Sequence, residues 1–266
     1  MSMKEILVHL DDTDRCLTRL DVAISLALRH QAHLTGVYAT PPPYYAVHWV
    51  DPPPEVVETE IRFKQMAATV GIANDWICTD APGLVASVSE RLIAQAFFAD
   101  LVIVDQADQR ASGSRTTFDL PERLVLGIGR PVLVLPRFGE FKTVGQKIMF
   151  AWRGGKASSR GLNDAIHFLE EAREVNLLMV NPGENFETQA DKICTYMSHH
   201  GVTASVDRLS VEDVQAGDVL LNQACDMGID LVVLGVVAHR RLGKTGLGPV
   251  GKHFLEHMTI PVLMAR

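Results

Sequence analysis

The sequence has no long hydrophobic run. No stretch approaches the roughly 18 apolar residues that a membrane-crossing helix requires, and the N-terminus reaches Lys4 and Glu5 without a signal-like apolar segment. A cytoplasmic protein with no membrane partner is therefore expected. Cysteine is scarce: Cys16, Cys78, Cys194 and Cys225 stand far apart, with no C-x-x-C and no histidine at metal-ligand spacing. That spacing indicates neither a zinc site nor a redox motif, and it predicts four buried, reduced thiols. Positive charge is in deficit, with 25 Lys+Arg against 32 Asp+Glu and a formal net charge of -7. Such a chain has no basic field to gather phosphate backbones, so nucleic acid is not expected as a partner. The nucleophile and metal motifs G-x-S-x-G, H-E-x-x-H and S-x-x-K are absent as well, and no catalytic residue or metal ligand can be assigned.

What the chain does contain is a repeat. Ala99-Asp100-Leu101-Val102-Ile103-Val104-Asp105, followed by Arg130-Pro131-Val132-Leu133-Val134-Leu135, returns as Ile229-Asp230-Leu231-Val232-Val233-Leu234-Gly235 and Ile260-Pro261-Val262-Leu263-Met264. Two domains are expected, 1–137 and 146–266, joined by the polar, Gly-containing segment 137–146. In the first, Lys4 to Leu10, His33 to Ala39, Trp76 to Cys78, Leu101 to Val104 and Pro131 to Leu135 read as strands. Helices are expected from the spacing of Leu17, Leu20, Ile24 and Leu28, over Val56 to Gly71, and around Leu84, Val85, Val88 and Leu92. The second half repeats the order, with strands at Lys147 to Trp152, Val175 to Val180, Val202 to Val206, Leu231 to Leu234 and Pro261 to Met264. Its helices are expected at Leu162 to Leu169, Asp191 to His200, Val214 to Cys225 and after Pro249. Continuous Val- and Leu-rich strands alternating with helices predict an α/β protein of two tandem doubly wound parallel-sheet, Rossmann-like domains. His9 falls inside such a strand and is expected to be a satisfied core histidine.

The halves differ in length. Ile6 aligns with Ile148 at an offset of 142 residues and Asp100 with Asp230 at 130, so the first half carries 12 net extra residues between its first and fourth strands. Their expected source is the insertion 41–54, whose prolines forbid helix and central strand and whose Tyr44, Tyr45, His48 and Trp49 form either a lid or a packed cover.

In a doubly wound sheet the ligand crevice lies at the C-terminal ends of the strands where their order reverses. In the second half the segment there runs from Gly235 to Pro249 and contains His239, Arg240, Arg241, Lys244 and Thr245. Glycines and cations before a helix N-terminus are the ingredients of an anion cradle. Ala238 to Thr245 also satisfies [AG]-x-x-x-x-G-K-[ST]. A working P-loop, however, lies on an early strand, with a later strand supplying an Asp for magnesium. The 21 residues after Thr245 hold one acid, Glu256, so the string reads as a coincidence within a basic loop.

The opening Ile6-Leu7-Val8-His9-Leu10-Asp11, the paired strands and the closing Pro131-Val132-Leu133 and Pro261-Val262-Leu263 resemble the universal stress protein family in its tandem form. The resemblance implies two domains paired through their closing strands about a pseudo-twofold axis, with a further homodimer of chains as an option. Its ATP-binding members carry G-x-x-G, nine residues and G-[ST] after the fourth strand, with an Asp ending the first strand near the adenine and ribose. Laid on this chain, the pattern keeps Gly235 and Gly248 but meets Ala238 and Pro249 at its other positions and Arg153 in place of the acid. A left-handed backbone at Ala238 would cost about 1–2 kcal/mol, and Pro249 offers a phosphate neither hydroxyl nor N–H. The first half keeps Asp11 and loses every glycine, with Asp105, Asp108 and Asp119 expected to crowd carboxylates about the site.

The leading expectation is a non-catalytic, stress-responsive binding module with no certain cofactor. Two alternatives stand beside it: an ATP-binding, slowly hydrolysing protein using the second domain alone, and a small-anion or metabolite binder under the 41–54 insertion. Lys244→Ala is expected to leave any ATP hydrolysis unchanged, as measured by phosphate release.

Overall fold

The computed structural model describes residues 3–39, 52–79, 87–107, 119–211, 215–241 and 244–266. Most of the 41–54 insertion, with its four aromatic and histidine side chains, lies outside them, as do Asp108, Leu84 and Val85. The chain divides into two compact units, Met1–Glu140 and Phe141–Arg266.

The first unit runs β1 (Glu5–Leu10), α1 (Cys16–His30), β2 (His33–Tyr38), α2 (Pro54–Thr69), β3 (Asn74–Cys78), α3 (Val88–Ala96), β4 (Leu101–Asp105), α4 (Leu120–Gly127) and β5 (Val132–Leu135). Its strands are parallel in the order β3-β2-β1-β4-β5. The second unit runs β6 (Lys147–Ala151), α5 (Gly155–Glu171), β7 (Glu174–Val180), α6 (Phe186–His199), β8 (Ser205–Leu209), α7 (Ala216–Asp226), β9 (Leu231–Gly235), β10 (Ala238–Arg241), β11 (Lys244–Leu247), α8 (Pro249–His257) and β12 (Val262–Ala265). Its parallel order is β8-β7-β6-β9-β12, with β10 and β11 forming a separate antiparallel hairpin.

The doubly wound α/β expectation is thus met in each unit. Every residue from Leu101 to Val104, and from Leu231 to Val233, is fully buried. Side chains of a strand alternate between its faces, so burial of successive residues means that both faces are covered.

The registers make the repeat exact enough to compare side chains. Ile6 lies opposite Leu101 in the first unit, and Ile148 opposite Leu231 in the second. The repeated aspartate has a structural task in both. The Asp100 carboxylate accepts the backbone N–H groups of Lys4 and Glu5, at 2.7 and 3.0 Å. The Asp230 carboxylate accepts those of Gly145, Gln146 and Lys147, at 3.0, 3.1 and 2.9 Å. An anion placed before the fourth strand therefore pins the first strand of each sheet.

Four expectations need correction. The segment after β9 is a hairpin rather than a loop. The strand expected at Val202 begins at Ser205, because Gly201 takes a left-handed φ of 75° and Val202 turns back to bond the Met197 carbonyl, closing α6. Pro54 opens α2 instead of forbidding it, since the first helical residue has no N–H partner to lose. The thiols are not all buried: Cys16 is, Cys194 is half-buried, and Cys78 and Cys225 are exposed.

Removing three charge-assisted bonds should cost about 2–3 kcal/mol. Asp230→Ala is expected to speed hydrogen exchange of the β6 amides by one to two orders of magnitude, while exchange in β1 stays unchanged.

Candidate functional site

Strand order reverses between β1 and β4 in the first unit and between β6 and β9 in the second, so each unit has one crevice position. Their contents are opposite. In the first unit a buried arginine occupies it. Arg19, only 1% exposed, reaches from α1 to the Asp11 carboxylate at 2.9 Å, to the Asp105 carboxylate, and through Nε to the His9 carbonyl. Asp11 is held further by the backbone N–H and hydroxyl of Thr13, at 3.2 and 2.6 Å. His9 is a satisfied core residue, its Nε2 lying 2.8 Å from the Ala39 carbonyl and its Nδ1 3.9 Å from Asp11.

One guanidinium shared by two carboxylates leaves an excess negative charge, and the two acids divide it unequally. Burial acts to raise the Asp11 carboxyl, but Arg19, with His9 and Thr13, outweighs it and holds that group at about 2. For Asp105 burial wins, reinforced by the charge of Asp11 against that of Arg19, and the carboxyl rises to about 6. Its Oδ1 is buried without a partner. The acids expected to crowd a polyphosphate are instead engaged with protein: Asp105 pairs with Arg19, and Asp119 bonds Arg123 on the exposed side of α4, at 2.5 Å. Arg19 itself had not been singled out in the sequence.

At the offsets of 142 and 130 residues that relate the two halves, the counterparts of Asp11, Arg19 and Asp105 are Arg153, Gly161 and Gly235. A Cβ at Gly161 would stand 2.9 Å from the Gly235 nitrogen, and one at Gly235 only 2.1 Å from the Ala157 carbonyl oxygen. Helix α5 thus rests directly on the backbone of β9. Gly235 is retained because no side chain fits there, a sufficient reason that makes no reference to phosphate.

With no side chain filling it, the second unit keeps a cleft of about 370 Å³ above the ends of β6, β7 and β9, bounded by α5, α7, β10 and the start of α8. Its walls include Leu178, Val180, Leu220, Leu234 and Val236. Arg153, Gly235, Ala238's neighbour His239, Gly248 and Pro249 are brought together around it, whereas Lys244 and Thr245 belong to the hairpin.

The hairpin decides what remains of the anion cradle. Ala238 pairs with Leu247, His239 with Gly246, Arg240 with Thr245 and Arg241 with Lys244. Ala238 is extended, so the strain expected of a left-handed alanine does not arise. Lys244 and Thr245 open a strand, where a P-loop would open a helix. The Val236 N–H donates to the Ala265 carbonyl at 2.8 Å and the Gly248 N–H to the Val237 carbonyl at 2.9 Å. Pro249 stands at the first position of α8 and has no N–H to give. The His239 ring lies over Gly248, where a Cβ would come within 3.0 Å of it.

Other polar groups of the lining are also committed. Ser158 accepts the Arg153 N–H at 3.2 Å. Asn181, with a left-handed φ of 47°, bonds the Val211 backbone through both amide atoms, at 3.1 and 2.8 Å.

Comparison with known proteins bears on both units. A universal stress protein from Archaeoglobus fulgidus shares the fold over 98% of each chain, with a TM-score of 0.71 at 11% identity. A functionally unknown protein from Pseudomonas aeruginosa does so over 99% of this chain and 92% of its own, with a TM-score of 0.69 at 16% identity. The cytoplasmic domain of a prokaryotic cation chloride cotransporter follows at 0.61 and 9% identity, over 99% and 95%. No curated protein matches in sequence. Residues 185–266 match the universal stress protein family. The resemblance seen in the strand motifs is thereby borne out, and the universal-stress match spans the hairpin, Gly248 and α8.

The Arg19 cluster has a pH signature. Asp105 titrates higher folded than its ordinary value of 3.8, so its contribution is full below about pH 4 and fades as pH rises through about 6. Asp11 titrates lower, so its contribution is full above about pH 4 and is lost as pH falls toward 2. Asp105→Asn is expected to remove a decline of up to about 3 kcal/mol between pH 4 and 7, read by urea unfolding at a series of pH values. Arg19→Met, which strands both acids, should cost about 3–5 kcal/mol at pH 7.

Proposed function

We propose that the chain is a tandem universal stress protein acting as a non-catalytic, stress-responsive binding module whose nucleotide site is degraded in both units. The observation that carries this reading is the Arg19 cluster. A buried guanidinium bonded to the carboxylates at the ends of β1 and β4 occupies the crevice position of the first unit with protein atoms. A ligand entering there would have to displace two ion pairs and leave buried charges uncompensated, at a cost of several kcal/mol.

A second reading, ATP held by the second unit alone, draws support from the cleft of about 370 Å³. Against it stand the committed N–H groups of Val236 and Gly248, Pro249 at the head of α8, and Arg153 where the family pattern places an acid. Among the described lining residues there is also no Asp or Glu to carry magnesium. Among the described residues, the acids at the first crevice are paired with Arg19, and Arg153 and His239 stand at the rim of the second, an arrangement suited to binding.

The discriminating experiment is nucleotide retention. Protein purified without added nucleotide, then denatured and assayed chromatographically, is expected to release no ATP. Its melting temperature should move by less than about 1 °C in millimolar ATP-Mg, a concentration at which even a 10 μM site would add about 2.7 kcal/mol. Stoichiometric ATP, or a large shift, would replace this reading with the second.

A further inference from the structure

The cleft of the second unit has a chemistry of its own. Its floor and sides are aliphatic, from Leu178, Val180, Leu220 and Leu234, and Ser158 and Asn181 are engaged with backbone. Two polar side chains remain at the rim. Arg153 and His239 are both exposed and both line the cleft, and neither has a hydrogen-bond or ion-pair partner among the described residues. Arg153 issues from the end of β6, where the Asp11 counterpart of the first unit is buried and paired. Its own strand end is set by the Arg153 N–H bond to Ser158 and by Gly154 and Gly155, with φ of 85° and 77°.

We infer that this cleft binds a small amphipathic carboxylate, with an aromatic or branched aliphatic body among the leucines and valines and its anionic end on Arg153, assisted by His239. This deepens the reading of a degraded nucleotide site and rests on it. Three observations select the ligand class. The lining offers apolar surface in a volume at the lower end of the range of small-molecule pockets, about 300–1,000 Å³. An unpartnered guanidinium at the mouth matches a carboxylate by its fork of donors. No acid among the described lining residues opposes an anion. A triphosphate, by contrast, needs several converging backbone donors, and here the N–H groups of Val236 and Gly248 are bonded to carbonyls, Pro249 has none, and strand pairing engages part of those of β10 and β11. The negative net charge of the chain does not assist by steering, so recognition falls to the local pair of groups.

Isothermal titration of the full chain with 2-naphthoate, its neutral counterpart 2-naphthalenemethanol, and ATP-Mg tests this. Naphthoate is expected to bind saturably at one site per chain, and the alcohol at least about 10-fold more weakly. Arg153→Gln should weaken naphthoate about 10-fold and leave the alcohol unchanged, with Arg153→Lys recovering part of the loss. Ala216→Phe, which narrows the cleft from the half-exposed start of α7, should abolish binding of both while the melting temperature reports an intact fold. The inference is overturned by naphthoate showing no saturable heat, by equal affinity for the alcohol, or by indifference to Arg153→Gln. ATP-Mg binding would instead sink the degraded-site reading on which the inference rests, so the two failures are told apart by titrant.

Discussion

A guanidinium removed from water must find its counter-charges inside the protein, and that requirement organises the first unit. Arg19 leaves α1 close to its start and meets the ends of both central strands, so helix, β1 and β4 are tied at one point. In the second unit the helix and the fourth strand meet with no side chain between them, through Gly161 against Gly235. The first arrangement is held by charge and filled. The second is held by close backbone packing, and beyond the contact it leaves an open cleft.

The cleft's polarity follows from how the backbone around it is satisfied. Pairing of β10 with β11 commits, strand to strand, about half of the peptide groups of Ala238–Arg241 and Lys244–Leu247. What in a loose loop would be a row of inward N–H groups becomes a hairpin wall. His239, carried on that wall, lies over Gly248. Gly235 and Gly248 therefore remain where a nucleotide-binding pattern has glycine, but Gly235 is required by a backbone contact, whereas a side chain at Gly248 would displace only the exposed His239 ring. A motif residue can outlast the ligand it is associated with when packing has acquired its own need for it.

Much of this was legible in the sequence. The buried strands announced themselves by uninterrupted Val, Leu and Ile, and the Asp100 and Asp230 motifs marked the repeat because both perform the same pinning of the first strand. The exposure of Cys78 and Cys225 carries no local signal, and the shift of the strand expected at Val202 reflects a helix closure that borrowed an apolar residue. Arg19 was hidden for a different reason. It stands between Leu17 and Leu20 on a helix with apolar spacing, where a single charge passes for a solvent-facing residue. Comparison of the halves sets Arg19 and Asp105 against Gly161 and Gly235, but those are two differences among many and do not by themselves mark a contact. The hairpin was obscured by its own charges, since a run of His, Arg and Lys resembles a solvated loop as closely as it does a short exposed strand.

The glycine contact also limits how the two halves can exchange parts. An arginine placed at 161 would begin from a Cβ already 2.9 Å from backbone nitrogen, and an aspartate at 235 from one 2.1 Å from a carbonyl oxygen. Neither change is tolerated until the helix has moved away from the strand, and once it has moved a glycine pair would leave a void. Conversion between the filled and the open crevice therefore has no neutral single step, so the two lobes are locked into separate sequence histories although their strand registers remain superimposable.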